Sequence, residues 1–258
     1  MSKTIAVFTG TRAEYGLLQN IMGRLKESSQ CELFLIVGGM HFSKEHGNTW
    51  QEILKDGFSI DAKIDMLPSS DTYRAAARSA GEGMSAVADI LDATNPDLIV
   101  LLGDRYEALA VAQAAAIMLI PIAHIHGGEI SEGAIDDSIR HAITKLSTLH
   151  FTASEQYRSR VIQMGEHPDR VFNVGAPGTE NLKDKYQLLS LNKLPKMPID
   201  IQKPFILCTY HSATAVRESA EVTTTNMLMA LLKQTNHKIL TTYPNIDPDS
   251  NKDRKSNV

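Results

Sequence analysis

Four apolar runs constrain this chain more than any other feature: "TIAVFTG", "CELFLIVGG", "DLIVLLGD" and "PIAHIHGGE". In each the apolar residues are nearly continuous rather than alternating, which is how a strand reads when both faces of its sheet are covered. Between them lie segments of helical period. One spans about 13–26 and puts Leu17, Leu18, Ile21, Met22 and Leu25 on one face. The others are the Ala-rich stretch from Thr72 to Leu91, then "YEALAVAQAAAIML" and "DDSIRHAITKL". "TLHFTAS", a helix around 154–164 and "RVFNVG" continue the rhythm. Strand and helix in turn predict an α/β fold, a doubly wound Rossmann-like parallel sheet, over residues 1–186.

The segment 187–204, which contains "LNKLPKMPIDIQKP" with Pro195, Pro198 and Pro204, reads as an interdomain linker. Residues 205–258 restart the pattern with "FILCTYH" as a strand, "NMLMALLKQT" as a helix and "HKILTTYPN" as a strand. The chain then runs into "IDPDSNKDRKSNV", which holds almost no apolar residue. A piece of this size is marginal as an independent core, so the second domain is expected to be incomplete.

Composition matters mainly for what it excludes. With 43% hydrophobic and 22% charged residues the chain is ordinary for a globular protein. Its formal net charge of −4 argues against a general nucleic-acid binder. The longest apolar run, "EALAVAQAAAIMLIPIA", is broken by Gln113 and Pro121 and is shorter than the roughly 20 residues of a membrane span. "MSKTIAVFTG" has too short an apolar run for a signal peptide. Cys31 and Cys208 stand far apart without a CxxC partner, which fits a reducing cytoplasm. Neither nucleic acid nor membrane is an expected partner.

In parallel α/β sheets ligands bind beyond the carboxyl ends of the strands, and four motifs fall there. In "FTGTRAEYG", Gly10 permits a tight turn. The amides of Thr11, Arg12 and Ala13 then open a helix whose positive end faces an anion, with Arg12 adding a forked donor. The bland alternative is a plain strand–helix turn with a surface arginine. In "LLGDRYE", Asp104 directly follows a buried strand and either caps the next helix or carries chemistry, with Arg105 beside it. The third motif, "HIHGGEISEGAIDDSIRH", gathers histidines, carboxylates and an arginine. In strand geometry His124 and His126 share a face, Glu129 follows the Gly127–Gly128 pair, and Asp136 and Asp137 enter the first turn of a helix. Arg140 and His141 come one turn later, within pairing distance of them. A helix start with its usual acidic bias accounts for Asp137 and His141, but not for two histidines and a glutamate at a strand end. HxH with a carboxylate also suits zinc or iron chemically, yet its spacing matches no established metal motif, and neither metal nor cofactor is expected. The fourth motif is split: "CTYHSA" with His211 and "TTYPNID" with Asn245, each at a strand end and suited to hydrogen-bond a sugar or diphosphate. Each is equally suited to act as a local cap or turn former.

Taken in order, "GTRAEYG", "LGDRYEALA", "HIHGGE…IDDSIRHAITKLS", "VGAPGTENL", "TYH" and "YPNID" resemble the UDP-N-acetylglucosamine 2-epimerase family, most closely its hydrolysing branch in sialic and nonulosonic acid biosynthesis. The resemblance implies two Rossmann-like domains facing each other in the GT-B arrangement, and a homodimer. It implies a nucleotide-linked 2-acetamido sugar such as UDP-GlcNAc as substrate. The proton at C2 is removed and the nucleotide diphosphate expelled from C1, and water then adds to the glycal with inversion at C2. The products are N-acetylmannosamine and UDP. By position, Asp104 and Asp136 match the family's acid/base carboxylates, Arg12 and Arg105 lie near the nucleotide sugar, and His211 and Asn245 come from the second domain. Many relatives carry glutamate where this chain has His126, so either His126 or Glu129 takes over that proton transfer. Leu17 occupies the position nearest the lysine of the non-hydrolysing branch, which favours hydrolysis. Relatives continue well past this chain's last residue, and weakened nucleotide affinity is expected. Two alternatives are a GT-B glycosyltransferase, which needs fewer proton-transfer groups, and a truncated inactive remnant.

Overall fold

The computed structural model describes residues 2–70, 72–179, 198–200, 202–210 and 220–242. Seven strands form one fully parallel sheet: β1 (Lys3–Thr9), β2 (Cys31–Gly38), β3 (Ala62–Ile64), β4 (Leu98–Leu102), β5 (Ile122–Ile125), β6 (Leu149–Thr152) and β7 (Val171–Asn173). Their order across the sheet is β3-β2-β1-β4-β5-β6-β7. The winding therefore reverses between β1 and β4, and the carboxyl ends of those two strands are where ligands bind in open sheets of this kind.

Helices cover both faces: α1 (Arg12–Glu27), α2 (Trp50–Lys55), α3 (Tyr73–Thr94), α4 (Tyr106–Ile117), α5 (Ile135–Leu146) and α6 (Glu155–Gln163). Successive residues of each strand alternate between two cores. Ala6 and Phe8 of β1, Ile36 of β2 and Ile99 and Leu101 of β4 pack with Val87, Leu91 and Val111 of α3 and α4. Val7, Leu35, Val37, Val100 and Leu102 point the other way, onto Tyr15, Leu18 and Met22 of α1 and Ile53 of α2. Both faces are apolar because both are covered, which is why the strands read as continuous runs. A side chain such as Leu18, fully buried, contributes about 1.5–3 kcal/mol through removal from water.

The predicted Rossmann-like architecture over the first part of the chain is what the sheet displays. Two elements escape the sequence pattern. β3 is three residues long and α2 only six, too short for either period to register. One reading is corrected: the strand in "PIAHIHGGE" stops at Ile125, and His126 takes a left-handed backbone with φ +65°. Strand alternation does not carry through to it.

Farther on, β8 (Phe205–Cys208) and β9 (Lys238–Thr241) pair in parallel, with helix α7 (Ala220–Gln234) between them in sequence. Most of the expected linker lies outside the described residues, as do His211 and Asn245. Among the described residues no helix is long and apolar enough to cross a membrane.

Candidate functional site

The loops after β4 and β5 and the first turns of α5 bring the ionisable groups of the third motif together with Asp104. β4 ends at Leu102, and Gly103 after it, with φ +83°, turns the chain and aims its carbonyl oxygen at His124. His124 Nε2 donates to that oxygen at 2.7 Å, and the Thr144 hydroxyl of α5 completes the ring's bonding at Nδ1 (3.2 Å). Complete burial pushes its pKa down to about 4, so His124 is a neutral core histidine that ties β5 to the β4 loop and α5.

Asp104 does not cap α4. The N-cap position is Arg105, with no side-chain cap bond, and the Asp104 carboxylate instead accepts from Nη2 of Arg140. Arg140 is only 5% exposed. The same Nη2 donates to Ser131 Oγ at 3.0 Å, and Nη1 lies 4.0 Å from Asp137 Oδ1. Its Nε and Nη1 are buried without a hydrogen-bond partner among the described residues. Asp137 accepts from the Ser131 amide at 2.9 Å and lies 3.8 Å from His141, the one-turn pairing expected on α5. Burial raises the Asp104 pKa above the usual carboxylate range; Arg140 opposes this, and the charge of Asp136 adds to it. Asp104 and Asp136 thus lie close enough for the charge of one to act on the other, and Asp104 is held by the buried guanidinium. Sequence spacing marks Arg140 only as a pairing partner one turn after Asp136 and Asp137; its bond to Asp104 needs the fold.

His126 and Glu129 form a second pair. Nδ1 of His126 is 2.5 Å from Oε1 of Glu129, while Nε2 is buried and has no partner among the described residues. Burial opposes the charge on Glu129, but the bond to His126 and the charges of His126 and Arg140 outweigh it and hold the carboxyl below its ordinary range. Arg140 therefore acts on both pairs.

The two glycines between them are dictated by close approach. A Cβ on Gly127 would stand 3.0 Å from Thr144 Oγ1 and 3.1 Å from His124 Nδ1. A Cβ on Gly128, at φ +80°, would stand 2.6 Å from the Tyr157 carbonyl oxygen of α6, and Arg160 Nη1 donates to the Gly128 carbonyl. The loop is clamped between α5 and α6.

At the β1–β4 switch the picture differs from expectation. The amides of Gly10 and Thr11 do not face open space: both donate to Glu14 Oε2, at 2.7 and 3.1 Å, while the Thr11 side chain accepts from the Glu14 amide. This capping box closes the helix start on itself. Burial raises the Glu14 pKa to about 7, against the opposing charge of Arg105. Arg105 forks onto the fully buried Glu107, Nε to Oε2 at 3.2 Å and Nη2 to Oε1 at 3.3 Å. Arg12 is outside both clusters; its side chain is 70% exposed and pairs with Glu52 at 2.9 Å.

Fold and site together define a Rossmann-like α/β protein whose acid, base and cationic groups gather beyond the carboxyl ends of neighbouring strands. The chain belongs to the UDP-N-acetylglucosamine 2-epimerase family, whose profile matches residues 23–254. It is 37% identical over 248 residues to the GDP/UDP-N,N'-diacetylbacillosamine 2-epimerase (hydrolyzing) of Campylobacter jejuni, covering 96% of this chain and 64% of that protein. It is 36% identical to the UDP-N,N'-diacetylbacillosamine 2-epimerase (hydrolyzing) of Legionella pneumophila, covering 96% of this chain and 65% of that protein. The chain thus spans somewhat under two thirds of the length of these relatives. Among solved structures, the UDP-GlcNAc 2-epimerase of Neisseria meningitidis bound to UDP-GlcNAc matches with a TM-score of 0.75 at 18% identity, over 98% of this chain and 69% of that one. The Methanocaldococcus jannaschii UDP-GlcNAc 2-epimerase in complex with UDP-GlcNAc and UDP matches with a TM-score of 0.77 at 16% identity, with the same coverage of 98% and 69%. At such identities the likeness is one of fold, GT-B with Rossmann-like halves.

Proposed function

We infer that this chain acts as a hydrolysing 2-epimerase on a UDP-linked 2-acetamido sugar. The reaction expels UDP from C1 as the C2 proton leaves, then hydrates the glycal to release the free 2-epimeric sugar. Such chemistry needs groups that exchange protons with one carbon and positive charge for the departing diphosphate. The observation that carries the reading is that the buried guanidinium of Arg140 binds Asp104 and acts on the Glu129 carboxylate of the His126–Glu129 pair, while the charge of Asp136 reaches Asp104. Arg105, oriented by Glu107, is the nearest fixed cation for the diphosphate. Arg12 would exchange its exposed pairing with Glu52 for the ligand, and His211 and Asn245 would close the site from a second Rossmann-like domain.

The relatives' names favour a diacetylated bacillosamine-type sugar alongside UDP-GlcNAc as substrate. A cytoplasmic homodimer fits the family resemblance and the two free cysteines. The test is incubation of the full-length protein with each UDP-sugar and no acceptor, followed by NMR. Release of UDP and a free 2-epimeric amino sugar supports the reading. A requirement for an acceptor would mark a glycosyltransferase instead.

A further inference from the structure

Resting on that reading, we propose that His126 and Glu129 work as a dyad. His126 Nε2 is the atom that takes the C2 proton, and Glu129 is a positioning residue that acts only through Nδ1.

Three features of the loop converge on this division. First, the Glu129 carboxylate meets Nδ1 at 2.5 Å, a charge-assisted contact that fixes which ring nitrogen faces the carboxylate. In the neutral ring that bond places hydrogen on Nδ1 and leaves the lone pair on Nε2. Second, Nε2 is buried and has no partner among the described residues, although a buried nitrogen with no partner costs about 1–3 kcal/mol. His124, two residues earlier, has both ring nitrogens satisfied, so the loop is able to partner a histidine fully. Third, His126 holds a left-handed backbone at φ +65°, a conformation that costs a non-glycine residue of order 1 kcal/mol or more and recurs where a side chain must be aimed. Gly127 and Gly128, fixed by their close approach to α5 and α6, hold the turn that brings Glu129 back onto the ring.

Glu129 is a poor candidate for the proton acceptor itself. The oxygen nearest the ring is occupied by Nδ1, and the bond to His126 and the charge of Arg140 lower the carboxyl's pKa, which makes it a weaker base. The dyad assigns the step as follows. The C2–H bond breaks and an Nε2–H bond forms; the C–H electron pair becomes the C1=C2 double bond; the C1–O bond breaks with its pair leaving on the diphosphate. The imidazolium so formed is neutralised across Nδ1–H by Glu129, and its proton is later returned to water.

The experiment combines a tautomer measurement with a double-mutant cycle. In the full chain labelled with 15N-histidine, the His126 signal, identified by its loss in His126→Gln, should report hydrogen on Nδ1 in the neutral ring. Hydrogen on Nε2 would overturn the dyad. In turnover of the UDP-sugar, His126→Gln should lower kcat about 10³-fold and Glu129→Gln about 10- to 100-fold with KM within twofold, Glu129→Asp recovering part of the loss. The double variant should be no slower than His126→Gln alone, within about twofold; losses that multiply would show Glu129 acting on its own. If the Glu129 variants fail to fold, the wild-type tautomer decides. If the wild-type protein releases no free amino sugar, the proposed function fails, while the tautomer still decides whether the pair is built as described.

Discussion

Arg140 reaches from the second turn of α5 to the carboxylate of Asp104 just after β4, and its guanidinium is buried. This contact joins two motifs thirty-six positions apart in sequence and makes the strand ends one site rather than two.

Removing the cation should leave Asp104 buried without its counter-charge. Arg140→Ala is expected to cost about 3 kcal/mol in urea denaturation and to raise the Asp104 pKa further. Arg140→Lys keeps the charge but loses the planar guanidinium whose Nη2 bridges Asp104 and Ser131, and should cost less. Equal stability of Arg140→Ala and the wild type would show that the pair is not coupled to the fold.

Glycine substitutions should rank by what their Cβ meets. Gly128→Ala puts a methyl 2.6 Å from a backbone oxygen at φ +80° and should lose about 2 kcal/mol or more. Gly127→Ala meets a rotatable hydroxyl and a ring nitrogen and should lose less. Gly23→Ala, inside α1 with nothing within 4 Å, should gain about 0.5–1 kcal/mol. Thermal denaturation of the three variants checks the order.

The pH dependence of stability combines two opposite signs. Burial holds His41 and His124 neutral, with pKa values lowered from 6.5 to about 4. Below 6.5 the unfolded chain therefore binds protons that the folded chain refuses, and their contribution, complete above 6.5, is lost as pH falls toward 4. Glu14 is raised from 4.5 to about 7, so its contribution is complete below 4.5 and lost as pH rises through 7. Two histidines outweigh one glutamate. The urea midpoint should fall from pH 6.5 to 5, and Glu14→Gln should steepen that fall while raising stability at pH 8. A Glu14→Gln variant less stable than wild type at pH 8 would contradict this.

Much of the architecture was readable from the chain because a doubly covered parallel sheet writes continuous apolar runs. β1, β2, β4 and β5 and the helices that follow β1, β4 and β6 fall close to the predicted positions. What failed did so for local reasons. Asp104 followed a strand and preceded a helix, which is the setting of a cap, but a buried arginine from α5 outcompeted the cap amides for its carboxylate. Of the amides expected to be open after Gly10, that of Thr11 is claimed by Glu14, three residues into the helix, in a capping box that "TRAE" does spell. His126 left strand geometry because the loop turns there, and no single-residue signal announces a histidine at positive φ. Arg140 became central only once folding brought α5 against the end of β4.

The central claim is that the carboxylates at these strand ends act on one carbon of a bound sugar. The most direct measurement is deuterium at C2 of the sugar released from UDP-GlcNAc in deuterated water, by the full-length protein and by its Asp136→Asn variant. The account predicts one deuteron at C2 from the wild-type protein and no C2-deuterated product from a folded Asp136→Asn variant. Near-normal turnover with deuterium at C2 in that variant would contradict it.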